Sequence, residues 1–528
     1  MAITDRLRTA LYRSALWRLT LEGRMPRLVA ERPADPWPGG ARLGAEIAAG
    51  EFRLAGRRHS LGLSPFAVPP PGIRAQADLH SFRWLRHLRD VGTEDTAAAA
   101  RALIDGWLAT ADRWNAVAWR PDVLGERIAN WLTGFDGFDD DARTDAMLES
   151  IGRQVRHLGR VAGTAVSGPY GLSVARGLIA AGLAIEGYEP FLRRGLALLS
   201  DTAARHVLPD GGHASRCPAR QLDALETLIG IRATLSGSAV EMPLALQSAI
   251  DRMAPMLRSF CHGDGRLALF NDGNEDDAGR IAQVLAASNV RGKPLTSAPH
   301  SGFQRLAGGK TVLIVDTGGR PHRGFADDAH AGALSFEMSA GRHRIVVNCG
   351  AHPDDASPWR EALRATAAHS TVVVEDRNSD DLSSEARREA PACQRSESEG
   401  NTILQARHDG YLGTFGIRHA RDLYLSATGG DVRGKDVLSG PPGRRFQARF
   451  HLHPEVKVLL VEGGSKALLR LPGSEGWRFI AAGAGLGIEE SVYHGRLDEI
   501  RRGNQIVLSG VTGDGGATVK WSFKREGD

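Results

Sequence analysis

Apolar positions recur three to four residues apart from about residue 82 to residue 287, then alternate with polar ones from about residue 301 onward. The first pattern predicts helices over 82–89 (FRWLRHLR), 96–113, 121–135, 142–162, 172–187, 190–207, 218–236, 243–260 and 278–287. Gly, Pro or Asp stands at most of the joints, and the short loops imply antiparallel neighbours. Such a series of hairpins curls into a ring or arc with a central cleft. The second pattern predicts short strands over 311–316, 333–338, 344–347, 370–374, 402–408, 421–425, 445–452, 456–461, 467–471, 488–492, 505–508 and 518–523. Gly, Asp and Pro punctuate them at sandwich-like intervals. Helices first and strands afterwards predict two segregated domains. The stretch 351–368 between two strand-like runs reads as a loop.

The first 75 residues are set apart as an N-terminal helix and an extended lead-in. Leu7, Leu11, Ala15 and Leu19 share one helical face, with Arg6, Arg13 and Arg24 elsewhere. Two readings fit this basic amphipathic helix: packing on the body of the protein, or docking on a membrane surface. Prolines make turns or extended chain of 35–40 and 69–72, and 50–63 fits a hairpin. There is no run of eighteen apolar residues to span a bilayer. The N-terminus has no continuous apolar core of a secretory signal and no small-residue cleavage site.

The 528 residues provide for two or more domains, and 42% apolar with 24% charged residues is ordinary for a globular chain. A net charge of +4 with a pI near 9.0 suits a polyanionic ligand without choosing between acidic polysaccharide and nucleic acid. Cys217, Cys261, Cys349 and Cys393 are too scattered for a disulfide scaffold or a local metal loop.

Candidate chemistry centres on residues 325–371, where His330 and His369 each sit beside a strand-like run. Imidazoles at the ends of neighbouring strands converge on one point only through tertiary structure. Five tryptophans (Trp84, Trp107, Trp114, Trp119, Trp131) fall in the early helices. Indole faces stack on sugar rings, so Trp119 and Trp131 are candidate subsites, with a place in the core as the other reading. The stretch 263–277, GDGRLALFNDGNEDD, lacks EF-hand spacing and reads as a rim loop that touches substrate. His451 and His453 share one strand face, where they line a cleft, join a metal site or face solvent.

Several motifs together resemble the heparinase II/III superfamily of polysaccharide lyases. They are GFQRLAGG (302–309), HAGALSFEMSAGRHRIVVNCG (330–350), LRATAAHSTVVV (363–374), HDGY (408–411), RFHLHPEV (449–456) and EESVY (489–493). FRWLRHLR and LPDGGHASRCP (208–218) extend the likeness into the helical half. The resemblance implies an incomplete (α/α) toroid over 76–295, an antiparallel β-sandwich over 300–528, and an active site between them. It implies β-elimination on an acidic, uronate-containing polysaccharide or oligosaccharide. That reaction needs a group to neutralise the C5 carboxylate, a base for the C5 proton and an acid for the leaving oxygen. No cofactor is required, no nucleic acid is expected, and a dimer is compatible. Family members work in the periplasm, but this N-terminus carries no clear export signal, so a cytoplasmic or membrane-peripheral place stays open.

The chain departs from the family pattern at positions that matter. Tyr170 falls where the family has the His of its Asn-His pair, and Arg220 where it has a tyrosine. Asp328 falls where the first histidine of His-x-His is expected, and His330 where the second is. A rearranged set remains: Arg216 or Arg220 to hold the carboxylate, and Tyr170 or His213 as base and acid, with His330 across from them. Asp272 and Asp328 are candidate substrate contacts. Each has a plain structural alternative, as a loop fastener or a salt-bridged residue. His330, Asn348 and His369 match the family's zinc positions, with Asn348 in place of a carboxylate. They form either a structural zinc site or a His–Asn–His hydrogen-bond cluster. Two function classes follow: a lyase, or a glycan-binding or scaffold protein that has lost the lyase residues. A hydrolase pairing Asp328 with Asp272 is a distant third.

Overall fold

The structure is a computed structural model that describes residues 2–29, 35–133, 141–164, 168–383 and 390–527. The end of the helix expected over 121–135 lies outside these residues. Two compact units are present: residues 1–206 with 224–250 and 353–355, and residues 207–223 with 251–352 and 356–528. The change from helix to strand falls between Ala278–Ala287 and Ser297–Ala298. Compactness divides the chain elsewhere, because 207–223 and 251–287 pack with the strands.

The first unit is helical apart from the hairpin Glu51–Leu54/Arg57–Ser60, which forms where the turn residues predict it. FRWLRHLR does not open a helix at Phe82. Phe82 takes the left-handed φ of 57° and caps Ile73–Ser81, and the next helix is Leu85–Val91. The kink drives the Phe82 ring into the core, edge-on to Trp107 and Trp131. Helices Pro121–Thr133 and Gly171–Ala184 cross at Gly125 and Gly177. A Cβ on Gly125 would lie 2.0 Å from the Ser173 carbonyl oxygen, so only glycine permits that approach. Helices Ala2–Arg13 and Ala15–Leu21 pack through Tyr12 and Trp17, whose rings contact His157. The Trp17 indole N–H donates to His157 Nδ1 at 3.2 Å.

The second unit carries two antiparallel sheets that share one core. The nine-stranded sheet runs Gly485–Arg496, Glu499–Val511, Arg445–Leu452, His343–Val347, Phe336–Ala340, Thr311–Asp316, Phe303–Gly308, Ser297–Ala298, with Val372–Val374 beside Arg445–Leu452. The eight-stranded sheet runs Lys457–Val461, Lys466–Arg470, Gly476–Ala482, Ala517–Arg525, Asp431–Ser439, Arg418–Leu425, Asn401–His408, Ala392–Ser398. Alternation does what it predicts: Thr402, Leu404, Ala406 and His408 point inward while their neighbours face out. Leu313, Phe336 and Phe450 from one sheet meet Leu404, Trp477 and Phe523 from the other. The fold class is therefore the expected one, helices followed by an antiparallel sandwich.

One ion pair sits inside that apolar core. Arg421 and Asp436 are cross-strand partners, joined by two hydrogen bonds of 2.7 and 3.1 Å. Arg421 also donates to the carbonyls of Leu334 and Ser370, and Asp436 accepts from His419 and from the Trp521 indole. Despite burial, Arg421 and His419 hold the Asp436 carboxyl well below the usual carboxylate range. Replacing Arg421 with Met removes the counter-charge and keeps the carboxylate buried. Loss of one partner of a buried pair costs about 3–5 kcal/mol. Arg421→Met is expected to lower the unfolding free energy by that amount in urea titration, and an effect below about 1 kcal/mol would contradict this account.

Candidate active site

The sequence-derived candidates divide between the units. Tyr170 and the two tryptophans belong to the first, and the rest to the second. Tyr170 caps helix Gly171–Ala184, with the Arg120 guanidinium 5.4 Å from its ring centroid. Arg120 is itself held by both oxygens of Asp122 at 2.7 Å. The subsite reading of Trp119 and Trp131 is corrected. Trp119 is 4% and Trp131 0% exposed, and each packs edge-on against other rings, with Trp119 donating to the Ala111 carbonyl. Neither of these two indole faces is open to a sugar.

In the second unit, the turn 212–217 and helix Pro218–Ser236 bring His213, Arg216 and Arg220 to the start of the sandwich. His213 Nδ1 accepts from the Ser215 backbone N–H at 3.2 Å and lies 2.8 Å from the Ser215 hydroxyl. Its ring is buried edge-on to Phe325. Arg216 is also buried. It donates to the carbonyls of Ser301 (2.7 Å), Gly302 (3.3 Å) and Gly319, and pairs with Asp316. Gly318 makes room for it, since a Cβ there would lie 2.2 Å from the guanidinium. A guanidinium so fully engaged fastens a turn to strands Phe303–Gly308 and Thr311–Asp316. It has no donor edge left for a substrate carboxylate, which corrects the expectation for Arg216.

Arg220 meets Asp328 side by side, Nε to Oδ2 at 2.5 Å and Nη2 to Oδ1 at 3.0 Å. Asp328 is buried, while the Arg220 side chain is 38% exposed. Asp272, also buried, accepts from Arg360 at 3.0 Å. Both carboxylates act on the buried Cys217 thiol, which burial first and then Asp328 and Asp272 push up to about 12. Arg360 comes from helix Pro358–Arg364, in the stretch expected to be a loop. Ser357 caps this helix and Pro358 opens it. That Ser-Pro pair was the signal available in the sequence.

His330 and His369 do converge. His369 Nδ1 donates to the Ala365 carbonyl at 2.8 Å, which leaves its Nε2 to accept from His330 Nδ1 at 3.2 Å. Burial, then His369, Arg364 and Arg360, push His330 well below the ordinary histidine value, so it is neutral. Gly332 supports the contact, because a Cβ there would lie 2.7 Å from the His369 ring. Asn348 donates to the Leu269 carbonyl at 2.9 Å and accepts from the Ser370 N–H at 3.0 Å. Asn271, unmarked by any motif, ties the parts together: it donates to the Arg216 carbonyl and accepts from the His330 N–H. His451 and His453 are buried rather than solvated. His451 is fixed between Ser491 and the Ala367 carbonyl, and His453 lies edge-on to Tyr493. The acids of the rim loop are tied in as well: Asp264 to Arg344, Asp276 to Arg280, and Glu275 to Tyr493.

Comparison with known proteins agrees with this architecture. Residues 290–522 match the family Heparinase II/III-like, C-terminal. The chain is 32% identical over 535 residues to FtsZ-localized protein C of Caulobacter vibrioides, covering 95% of this chain and 91% of that one. It belongs to the heparinase II/III-like superfamily. Heparinase III aligns with a TM-score of 0.76 at 12% identity, over 98% of this chain and 88% of that structure. A heparan sulfate lyase of Pedobacter heparinus aligns at 0.66 and 14%, over 98% and 88%. At these identities the two structures testify to the fold.

The zinc that the family resemblance implies does not fit these residues. Both polar atoms of the Asn348 side chain are engaged by backbone, and no carboxylate replaces it beside the imidazoles. Among the described residues, no group of three or more His, Cys, Asp or Glu is placed to hold a metal. The hydrogen-bond cluster is the arrangement present, which corrects the expectation of structural zinc.

The buried imidazoles set a pH dependence. Burial lowers His451 to about 3 and His453 to about 4, with His330 also depressed. Unfolded histidine titrates near 6.5, so below that pH the unfolded chain binds protons that the folded one refuses. Stability is full above about pH 6.5 and falls as pH drops, by about 1.4 kcal/mol per pH unit for each such histidine. Urea midpoints are expected to decline between pH 7.5 and 5, before most carboxylates titrate. A flat profile there would show that these rings charge without cost.

Proposed function

We propose that this chain is a non-catalytic member of its superfamily, a scaffold built on a polysaccharide-lyase fold. The observation that carries this reading is the Arg220–Asp328 pair. The arginine at the family's tyrosine position is spent on a carboxylate at the family's histidine position. Arg360 is likewise directed to Asp272, and Arg216 to Asp316. β-Elimination needs a cation or donor set that is satisfied only by the substrate carboxylate. Here the protein's own acids meet that need, and a uronate would have to break a bidentate contact to enter. His330, kept neutral by burial and bonded to His369, is in turn committed before any substrate arrives.

The role we assign follows the relative described as FtsZ-localized: assembly with FtsZ rather than glycan cleavage. The N-terminal helices supply an anchorage suited to that work. Leu7, Leu11, Leu16 and Leu19 are 50–75% exposed, while Tyr12 and Trp17 face His157. Arg6, Arg8 and Arg13 are exposed beside them. A leucine face flanked by arginines suits the interface of an anionic bilayer. No described helix is long and apolar enough to cross one.

Purified protein incubated with uronate-containing glycans is expected to give no rise in the ultraviolet absorbance of an unsaturated uronate, and to co-sediment with FtsZ polymers. A turnover-dependent rise in absorbance would overturn the reading. In flotation assays the protein is expected to bind phosphatidylglycerol vesicles over phosphatidylcholine ones. Leu11→Glu with Leu16→Glu is expected to reduce that binding at least tenfold, and undiminished binding would exclude these helices as the anchor.

A further inference from the structure

The eight-stranded sheet ends in two unlike edges. Ala392–Ser398, at one end, reads ACQRSES and carries no large aliphatic side chain. Lys457–Val461, at the other, reads KVLLV and has a strand partner on one side only, Lys466–Arg470. Its backbone therefore presents an open row of N–H and C=O groups.

The side chains of these two strands separate cleanly by face. Val458 and Leu460 pack on the sandwich core with Ala467 and Leu469. On the other face, register pairs Lys457 with Arg470, Leu459 with Leu468 and Val461 with Lys466. Leu459 is 66% and Leu468 39% exposed, an aliphatic pair in water on a sheet whose core is elsewhere closed. Lys457 and Arg470 are like charges directly across the ladder, an unfavourable pairing. Neither has an ion-pair partner among the described residues. Nearby cations are treated differently: Lys466 is paired with Glu462 and Arg478 with Glu526.

We propose that this edge binds an extended peptide whose outward-facing positions, every second residue, are in turn acidic and aliphatic, taken up as an added strand beside Lys457–Val461. Backbone hydrogen bonds to the open edge supply the affinity, and the alternate side chains supply the choice of sequence. Aliphatic side chains of the peptide on that face lie across from Leu459 and extend the apolar pair it makes with Leu468. Its acidic groups meet Lys457 and Arg470 and relieve their repulsion. A second copy of this chain is the poorer occupant, because it would bring two more cations to the same rim. The surface is a property of the sandwich and does not depend on whether the chain cleaves a glycan.

The test uses the full-length protein and a fluorescent eight-residue peptide, Glu-Thr-Val-Thr repeated twice, compared with Lys-Thr-Val-Thr repeated twice, so that charge and valine share one face of the added strand. The Glu peptide is expected to bind at least tenfold more tightly. Leu459→Glu is expected to reduce its binding at least tenfold, and Lys457→Glu with Arg470→Glu to reverse the preference toward the Lys peptide. These positions are exposed, so thermal melting should be unchanged. Equal binding of the two peptides, or binding indifferent to Leu459→Glu and the charge reversal, would overturn the proposal. So would a dimer in sedimentation that Leu459→Glu abolishes, since a second copy would then own the edge. The binding readout is separate from both glycan cleavage and FtsZ co-sedimentation, so each can fail alone.

Discussion

A charge taken out of water has to be met by an opposite charge or by several aligned dipoles, and the second unit is built around that demand. Arg421 and Asp436 meet it in the middle of the sandwich, buried among Phe336, Phe450 and Trp521. Arg216 meets it with carbonyl oxygens and Asp316. Arg344 meets it with Asp264 and the Leu267 carbonyl. In each case a guanidinium with a planar set of donors joins chain segments far apart in sequence. The sheets supply apolar area, and these pairs allow one arrangement of them.

The same demand accounts for the candidate active site. Asp328 is buried, and a buried carboxylate without a partner would take up a proton or destabilise the fold. Arg220 is the partner it found. The acid and the base satisfy each other in a side-by-side contact. His330 and His369 answer the same pressure differently. Burial keeps His330 neutral, and its contact with His369 is made through one N–H and one lone pair.

Much of this architecture was legible along the chain. Periodicity separated helices from strands, and the alternation along Asn401–His408 and Arg418–Leu425 coincides with the inward faces found there. Motif departures pointed to Arg220, Asp328, His330 and Asn348 as positions worth attention. Partners were not legible. Nothing near Arg220 in sequence marks Asp328, 108 residues away, and nothing near Asp272 marks Arg360. Trp119 and Trp131 show the opposite failure, because an indole at helical spacing looks the same whether its face meets a sugar or another ring. His451 lies on strand Arg445–Leu452 and His453 just past its end, and both are buried rather than solvated.

Local sequence determined the order of elements and the identity of the residues with chemistry to offer. It does so because side-chain period and backbone preference act over a few residues. Tertiary structure alone decided which of those residues are still available. An arginine's donors are consumed by whatever acceptors the fold brings within about 3 Å. Whether a leucine on strand Lys457–Val461 is core or contact surface depends on what the opposite sheet covers. Those are outcomes of long-range packing, to which the neighbouring letters of the chain contribute nothing.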